Sequence, residues 1–154
     1  MALLPHYGRD ATNHSVRPTR RRETHESSQV HKLRVLVVDD NPLFLSAARN
    51  LISGLPEVGC AEYVNSGAAA LTNATTFHPD LVLMDIMMPG MNGFETMRIL
   101  KIRVPAPRMY AVSLHDTAEY RTAALQSGAD GLISKSDFAT AIPELLATLA
   151  RGSI

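Results

Sequence analysis

The sequence predicts an α/β fold in which five parallel strands alternate with five helices, (βα)₅, as a doubly wound parallel sheet. Short apolar runs recur from about residue 33, and they are apolar on both faces, as buried parallel strands are. Between these runs, apolar residues recur at helical spacing. The alternation predicts the strand order 2-1-3-4-5, with a crevice between strands 1 and 3.

Local signals bound the first three strands. Strand 1 is predicted at 35–38, and Asn41 followed by Pro42 is typical of a helix cap and the first helical residue. The first helix is expected to end at Gly54 and Pro56. The next elements are predicted at 61–64 (strand 2), 68–77 (an alanine-rich helix) and 81–84 (strand 3).

The second half of the chain repeats the pattern. Gly128 is expected just beyond the C-terminal cap of the fourth helix. Pro143 lies within the fifth helix and is expected either to delay its start or to bend it. The elements are predicted at 93–103 (helix 3), 109–112 (strand 4), 117–127 (helix 4), 132–134 (strand 5) and 138–149 (helix 5).

Size and composition are those of one domain with a substantial core. The chain has 154 residues, of which 45% are apolar. Its formal net charge is zero, but residues 32–154 carry twelve acidic and ten basic residues. A mildly acidic domain is a poor nucleic-acid binder by itself. The single cysteine, Cys60, excludes an internal disulfide and fits a reducing compartment.

Residues 1–31 are predicted to form a disordered basic tail, and residues 32–154 the folded domain. The tail has five arginines, three acids and too little apolar surface to offset the entropy of ordering. Arg20-Arg21-Arg22 is interpreted as a solvated charge run, with contact to an acidic partner or nucleic acid as the alternative. We expect no signal peptide and no membrane span, and therefore a cytoplasmic protein.

Polar residues follow four of the predicted strands: Asp39 and Asp40, then Asp85, Ser113 and Lys135. The carboxyl ends of parallel strands line one crevice, so three carboxylates, a hydroxyl and an ammonium are expected to converge there. Taken singly, each is more often a solvated or turn-capping group, and an acid pair also favours a following helix N-terminus. Their joint spacing favours a metal-assisted phosphoryl site.

The chemistry of such a site fits these residue types. An ionised Asp85 is a nucleophile that can form an acyl phosphate. Acids about 4 Å apart repel by about 4 kcal/mol at an effective dielectric near 20, and a divalent cation relieves that repulsion. Mg²⁺ prefers oxygen ligands.

With Pro89 and Gly93 four and eight residues past Asp85, the arrangement resembles the receiver domain of two-component response regulators, the CheY-like superfamily. The resemblance covers about residues 33–151. The stretches 113–116 and 128–132 are similar to the NarL-like subclass. The resemblance implies the flavodoxin-like fold and a conformational switch that takes a phosphoryl group on Asp85. The donor would be a sensor histidine kinase or phosphotransfer protein, in an Mg²⁺-dependent reaction that controls a downstream protein.

The resemblance also implies a metal site. Asp40 and Asp85 would bind Mg²⁺ directly, Asp39 would act mainly through a water, and the backbone carbonyl of Met87 would supply a further ligand.

The remaining implied roles concern the phosphoryl group. Ser113 would donate a hydrogen bond to a phosphoryl oxygen and move toward it as the switch. Lys135 would pair with the phosphoryl group as a point charge. The implied catalytic set is Asp85, Ser113 and Lys135, with Asp85 as the phosphorylation site.

Two positions depart from common receivers, and a third departs from a related class of phosphatase. Leu132 stands where many have an aromatic residue, so an aromatic switch is in doubt, and Ser136 stands where many have proline. Met87 stands where a haloacid dehalogenase-type phosphatase carries its second aspartate, so the chain is expected not to be a turnover enzyme.

The alternatives are a receiver fragment of a DNA-binding transcriptional regulator and a binding module of this fold that is not phosphorylated. No output domain is visible, and we expect no specific nucleic-acid binding by this chain alone, no membrane binding, and a monomer or weak phosphorylation-dependent dimer.

Overall fold

The computed structural model describes residues 31–152. The tail predicted at 1–31 lies outside the described residues except for His31. The strands are β1 (Leu33–Val38), β2 (Val58–Val64), β3 (Leu81–Asp85), β4 (Arg108–Ser113) and β5 (Gly131–Ser134). The helices are α1 (Pro42–Ile52), α2 (Gly67–Phe77), α3 (Gly93–Lys101), α4 (Ala118–Gln126) and α5 (Phe138–Ala150).

The five strands form one parallel sheet in the order β2-β1-β3-β4-β5. This order confirms the predicted fold class and topology. From β1 the chain adds β2 on one side and then β3, β4 and β5 on the other, so the direction of winding reverses between β1 and β3. These two strands lie side by side near the centre of the sheet. The carboxyl ends of those two strands therefore flank the crevice in which such sheets bind ligands.

Side-chain caps fix where the helices begin. Asn41 accepts a hydrogen bond of 2.9 Å from the Leu43 N–H, and Pro42 is the first residue of α1, as predicted. Thr117 caps α4 by accepting from the Tyr120 N–H. Gly128 follows the end of α4 with a φ of +97°, a left-handed conformation that favours glycine. That position is also as predicted.

Most observed bounds lie within two residues of the predicted ones, and the start of β2 differs by more. β2 begins at Val58, three residues before the predicted start, because its backbone pairs with β1 from Leu33 onward. α5 begins at Phe138 and continues through Pro143, so the proline does not delay its start. The buried face of α5 compensates for the one hydrogen bond that the proline cannot donate.

Two apolar layers cover the sheet. Side chains that alternate along β1 point to opposite faces: Leu36 and Val38 pack with α2, α3 and α4, whereas Val35 and Val37 pack with α1 and α5. Burial on both faces makes the central strands rigid, so the loops at their carboxyl ends start from fixed points. Among residues 31–152, no helix is long and apolar enough to cross a membrane.

Candidate functional site

The predicted polar residues lie at one edge of the sheet. Asp39 and Asp40 directly follow β1, Asp85 ends the neighbouring β3, and Ser113 ends β4. Lys135 follows β5, and its backbone N–H donates a 2.7 Å hydrogen bond to the Ser113 carbonyl. The topology therefore gathers all five at the carboxyl ends of four adjacent strands.

The three carboxylates form one cluster. One oxygen each from Asp39, Asp40 and Asp85 lies within 4.8 Å of the others. Asp39 and Asp85 are buried, whereas Asp40 is exposed. Three hard oxygen donors so close together are a suitable set for Mg²⁺, and their mutual repulsion gives a divalent cation a reason to bind.

Asp39 is held from two sides. Its Oδ1 accepts a 2.8 Å hydrogen bond from the Asn41 N–H, and its Oδ2 lies 2.6 Å from Lys135 Nζ. The second contact is a close ion pair rather than a well-directed hydrogen bond, since Oδ2 has no hydrogen-bond partner of regular geometry. Asp39 is thus the most deeply buried acid of the cluster.

Lys135 bridges the acids and an aromatic ring. Its Nζ lies 3.7 Å from Asp85 Oδ2 and 4.5 Å from the centroid of the Phe44 ring, a cation–π geometry. The Phe44 ring in turn packs edge to face against the Phe138 ring, with the two ring centroids 5.0 Å apart. Phe44 therefore links the position of the ammonium group to the packing of α1 against α5.

Burial raises the pKa of Asp85 from its ordinary 3.8 to about 6. The Met87 N–H, which donates a 3.1 Å hydrogen bond to Asp85 Oδ1, opposes this rise. Repulsion by Asp39 raises the pKa further, attraction by Lys135 lowers it, and repulsion by Asp40 raises it again. Added positive charge near the cluster would favour the ionised, nucleophilic carboxylate.

Ser113 is fully buried, and its Oγ accepts a 3.0 Å hydrogen bond from the His115 N–H. The hydroxyl hydrogen is not used in that bond, so it is free to be donated elsewhere. A pocket of about 310 Å³ opens over the cluster. It is lined by Asp40, Asn41, Asp85, Met87, Leu114, His115 and Lys135, and not by Ser113.

Glycine lets helix α3 approach the end of β3. A Cβ on Gly93 would lie 2.2 Å from the Asp85 carbonyl oxygen and 2.7 Å from the Ile86 Cα. Both are backbone atoms and neither distance is possible. The Asn92 side chain, which accepts from the Glu95 N–H, starts α3 at this point. The backbone around Asp85 thus depends on a residue without a side chain eight positions further on.

Several neighbours of the cluster were missed from sequence. Phe44 and Asn41 follow the acid pair closely, and the sequence pattern assigns them only to the first helix and its cap, although their nearness in sequence is a signal. Tyr120 touches Met87, and nothing in its spacing from the strand ends predicts that contact. A larger pocket, of about 770 Å³, lies at the opposite edge of the sheet, between the end of α2 and the loop that follows α3. It contains none of the predicted site residues.

The chain is similar to known proteins over most of the residues that the structure describes. The sequence profile of the response regulator receiver domain matches residues 35–147. The transcriptional regulatory protein DegU of Brevibacillus brevis is 32% identical over 127 residues, which cover 82% of this chain and 54% of DegU. A protein-glutamate methylesterase/protein-glutamine glutaminase of Myxococcus xanthus is 37% identical over 110 residues, 69% of this chain and 31% of that protein.

Solved structures share the fold. The signal receiver domain of NarL from Mycobacterium tuberculosis superposes with a TM-score of 0.72 at 33% sequence identity, covering 79% of this chain and 98% of that domain. The chain spans about half the length of the transcriptional regulators that it matches. The shared part is therefore a module that other proteins combine with different additional segments.

Proposed function

This chain belongs to the response regulator receiver domain family of two-component signalling proteins, and we propose that it switches state when Asp85 accepts a phosphoryl group. The observation that carries the proposal is the convergence of three carboxylates within 4.8 Å, with the ammonium of Lys135 among them. A signalling role in two-component systems follows from the family. The named residues and their chemistry are our proposal.

The proposed metal site uses oxygen donors that the chain already brings together. Asp40 and Asp85 would hold Mg²⁺ directly, Asp39 through a water, and the Met87 carbonyl would complete the protein ligands. When bound, Mg²⁺ would neutralise the charge that develops on the phosphoryl oxygens. Exposure of Asp40 at the pocket leaves it accessible to an ion from solvent.

In the proposed reaction, a carboxylate oxygen of Asp85 forms a bond to phosphorus. The bond between phosphorus and the donor atom breaks, and the donor leaves with that electron pair. Lys135 neutralises one phosphoryl oxygen and the Ser113 hydroxyl donates a hydrogen bond to another. Because Ser113 is buried beneath the pocket, it would have to move to reach the phosphoryl group, and the loop after β4 would move with it.

The donor would be a sensor histidine kinase or a phosphotransfer protein in the cytoplasm, and the reader a downstream protein or an additional domain. Relatives described as transcriptional regulators favour a role in controlling transcription for the whole protein. We propose that the chain itself is not a turnover enzyme, because Met87 offers no general acid two residues after the nucleophile.

Labelling with a small phosphodonor tests the proposal. The full chain is incubated with acetyl phosphate and Mg²⁺, and the intact mass is followed with time. One added phosphoryl group, absent in Asp85→Asn and present in Asp80→Asn at the other end of β3, is the expected result. A binding module without phosphorylation would stay unlabelled, and a phosphatase would consume the donor continuously. Labelling of Asp85→Asn would overturn the assignment of Asp85.

A further inference from the structure

Tyr120 connects two side chains of the pocket that come from different loops. Its hydroxyl oxygen lies 3.9 Å from the Met87 sulfur, and its ring stacks on His115 with centroids 6.2 Å apart and planes inclined by 17°. Met87 follows β3, whereas His115 follows β4. Tyr120 itself belongs to the first turn of α4, so three separate segments meet at its side chain.

Tyr120 is better anchored than the two side chains it touches. Its N–H donates a 3.2 Å hydrogen bond to the Thr117 side chain, and its ring packs against the core on the α2, α3 and α4 face. Met87 is 60% exposed and His115 is also exposed. The contacts therefore restrain the two exposed side chains far more than they restrain Tyr120.

Both restrained side chains line the pocket that contains Asp85 and Lys135. Loss of the phosphoryl group requires a water oxygen to bond to phosphorus on the side away from Asp85 while the phosphorus–Asp85 bond breaks. Asp85 takes back the electron pair of that bond, inorganic phosphate forms, and the water gives up its extra proton to solvent. A thioether and an imidazole held across the pocket limit the paths by which that water arrives.

We infer that Tyr120 is a positioning residue that holds Met87 and His115 across the phosphorylation pocket and thereby prolongs the life of the acyl phosphate. The inference rests on the proposed function, since it concerns a phosphoryl group on Asp85. Tyr120 does not touch the reacting atoms. It acts through the two side chains that it restrains.

The decisive measurement is the rate of phosphoryl loss after the donor is removed, followed by intact mass. Tyr120→Ala removes both contacts, and we expect it to speed the loss by about threefold to tenfold, as suits weak sulfur and ring contacts. Tyr120→Phe keeps the ring stacked on His115 and is expected to lie between wild type and Tyr120→Ala. Leu125→Ala, which truncates an exposed residue of the same helix, is the matched control and should match wild type.

A double variant separates positioning from a general loss of structure. If Tyr120 acts through Met87, the two substitutions should not act independently. The double variant with Tyr120→Ala and Met87→Ala should then lose its phosphoryl group more slowly than the product of the two single rate increases predicts. Two results would overturn the inference about Tyr120 and leave the proposed function standing. One is a double variant whose rate increase equals the full product of the single increases, and the other is an unchanged lifetime in Tyr120→Ala that labels normally. If wild type does not label at all, the proposed function fails and this inference fails with it.

Discussion

Lys135 is paired more closely with Asp39 than with the proposed nucleophile. Its Nζ lies 2.6 Å from Asp39 Oδ2 but 3.7 Å from Asp85 Oδ2. The ammonium therefore stands within the acid cluster and neutralises part of its charge without any metal. A divalent cation entering the cluster would meet that positive charge, so Lys135 is expected to oppose metal binding, even though its proposed role is to assist the phosphoryl group.

Removal of the lysine charge should tighten Mg²⁺ binding. Two unit charges about 4 Å apart interact by about 4 kcal/mol at an effective dielectric near 20, and part of this is recovered as metal affinity. We expect Lys135→Ala to lower the Mg²⁺ dissociation constant by about tenfold, equivalent to about 1.4 kcal/mol. Titration calorimetry measures it. Lys101→Ala, which removes an exposed lysine of α3, should leave the affinity unchanged, and weaker binding by Lys135→Ala would contradict the argument.

The raised pKa of Asp85 should make the metal-free protein less stable as the pH rises. Below about pH 4 the folded and unfolded states both keep the proton of Asp85, and above about pH 6 both have lost it. The free energy of unfolding therefore falls between these two pH values, and this loss is the cost of the buried charge. The difference between 3.8 and about 6 would correspond to at most about 3 kcal/mol, and solvent screening at the mouth of the pocket reduces it. Asp85→Asn removes this cost, so its free energy of unfolding should exceed that of wild type at neutral pH and approach it near pH 4.

Urea unfolding in a chelator, repeated across this pH range, checks that prediction. Asp80→Asn serves as the control, because it changes a carboxylate at the opposite end of the same strand. A stability gain in Asp85→Asn that is the same at all pH values would mean that the buried charge of Asp85 is not its cause. Saturating Mg²⁺ should reduce the gain, since the cation stabilises the ionised carboxylate of wild type only.

Gly93→Ala should damage the fold and the site together. The added Cβ would meet the Asp85 carbonyl oxygen at 2.2 Å, so α3 must move away from the end of β3. Overpacking of this kind costs roughly 1–3 kcal/mol, and we expect slower phosphorylation of Asp85 as well. Gly54→Ala is a suitable control, because its Cβ would lie an ordinary 3.7 Å from the Leu51 carbonyl oxygen. Unfolding and labelling rates, measured on the same samples, check both effects.

The strand ends were predictable because each apolar run stops at a polar residue, and an unbroken apolar run marks the part of a strand that packs in the core. The placement of Asp85 beside Asp39 follows from the order of parallel strands, which the alternation of elements implies. The start of β2 was not predictable in this way. Its first residues pair through the backbone with β1, and Gly59 among them carries no side chain to signal a strand.

The spacing of residues in the sequence does not predict the contacts between loops and helices. The distance from Phe44 to Lys135 depends on how α1 lies against α5, and that from Tyr120 to Met87 on the length of the loop before α4. The start of α5 ahead of Pro143 depends on packing for a related reason. A local rule counts the lost hydrogen bond, but the buried apolar face of α5, with Ile142 and Leu146, outweighs it.

Met87→Asn should shorten the life of the phosphorylated state. Met87 lines the pocket with Asp85, and its apolar side chain occupies space there without offering a hydrogen bond to water. An amide at this position both reduces the bulk and can hold a water in line for attack on phosphorus. We expect the loss of phosphate to be roughly ten to thirty times faster, which corresponds to about 1–2 kcal/mol in the barrier. Met87→Leu keeps the apolar bulk but loses the contact of the sulfur with the Tyr120 hydroxyl, so its rate should lie between those of wild type and Met87→Asn. Dephosphorylation kinetics after donor removal measure both variants, and an unchanged or slower rate in Met87→Asn would show that shielding by Met87 does not set the lifetime.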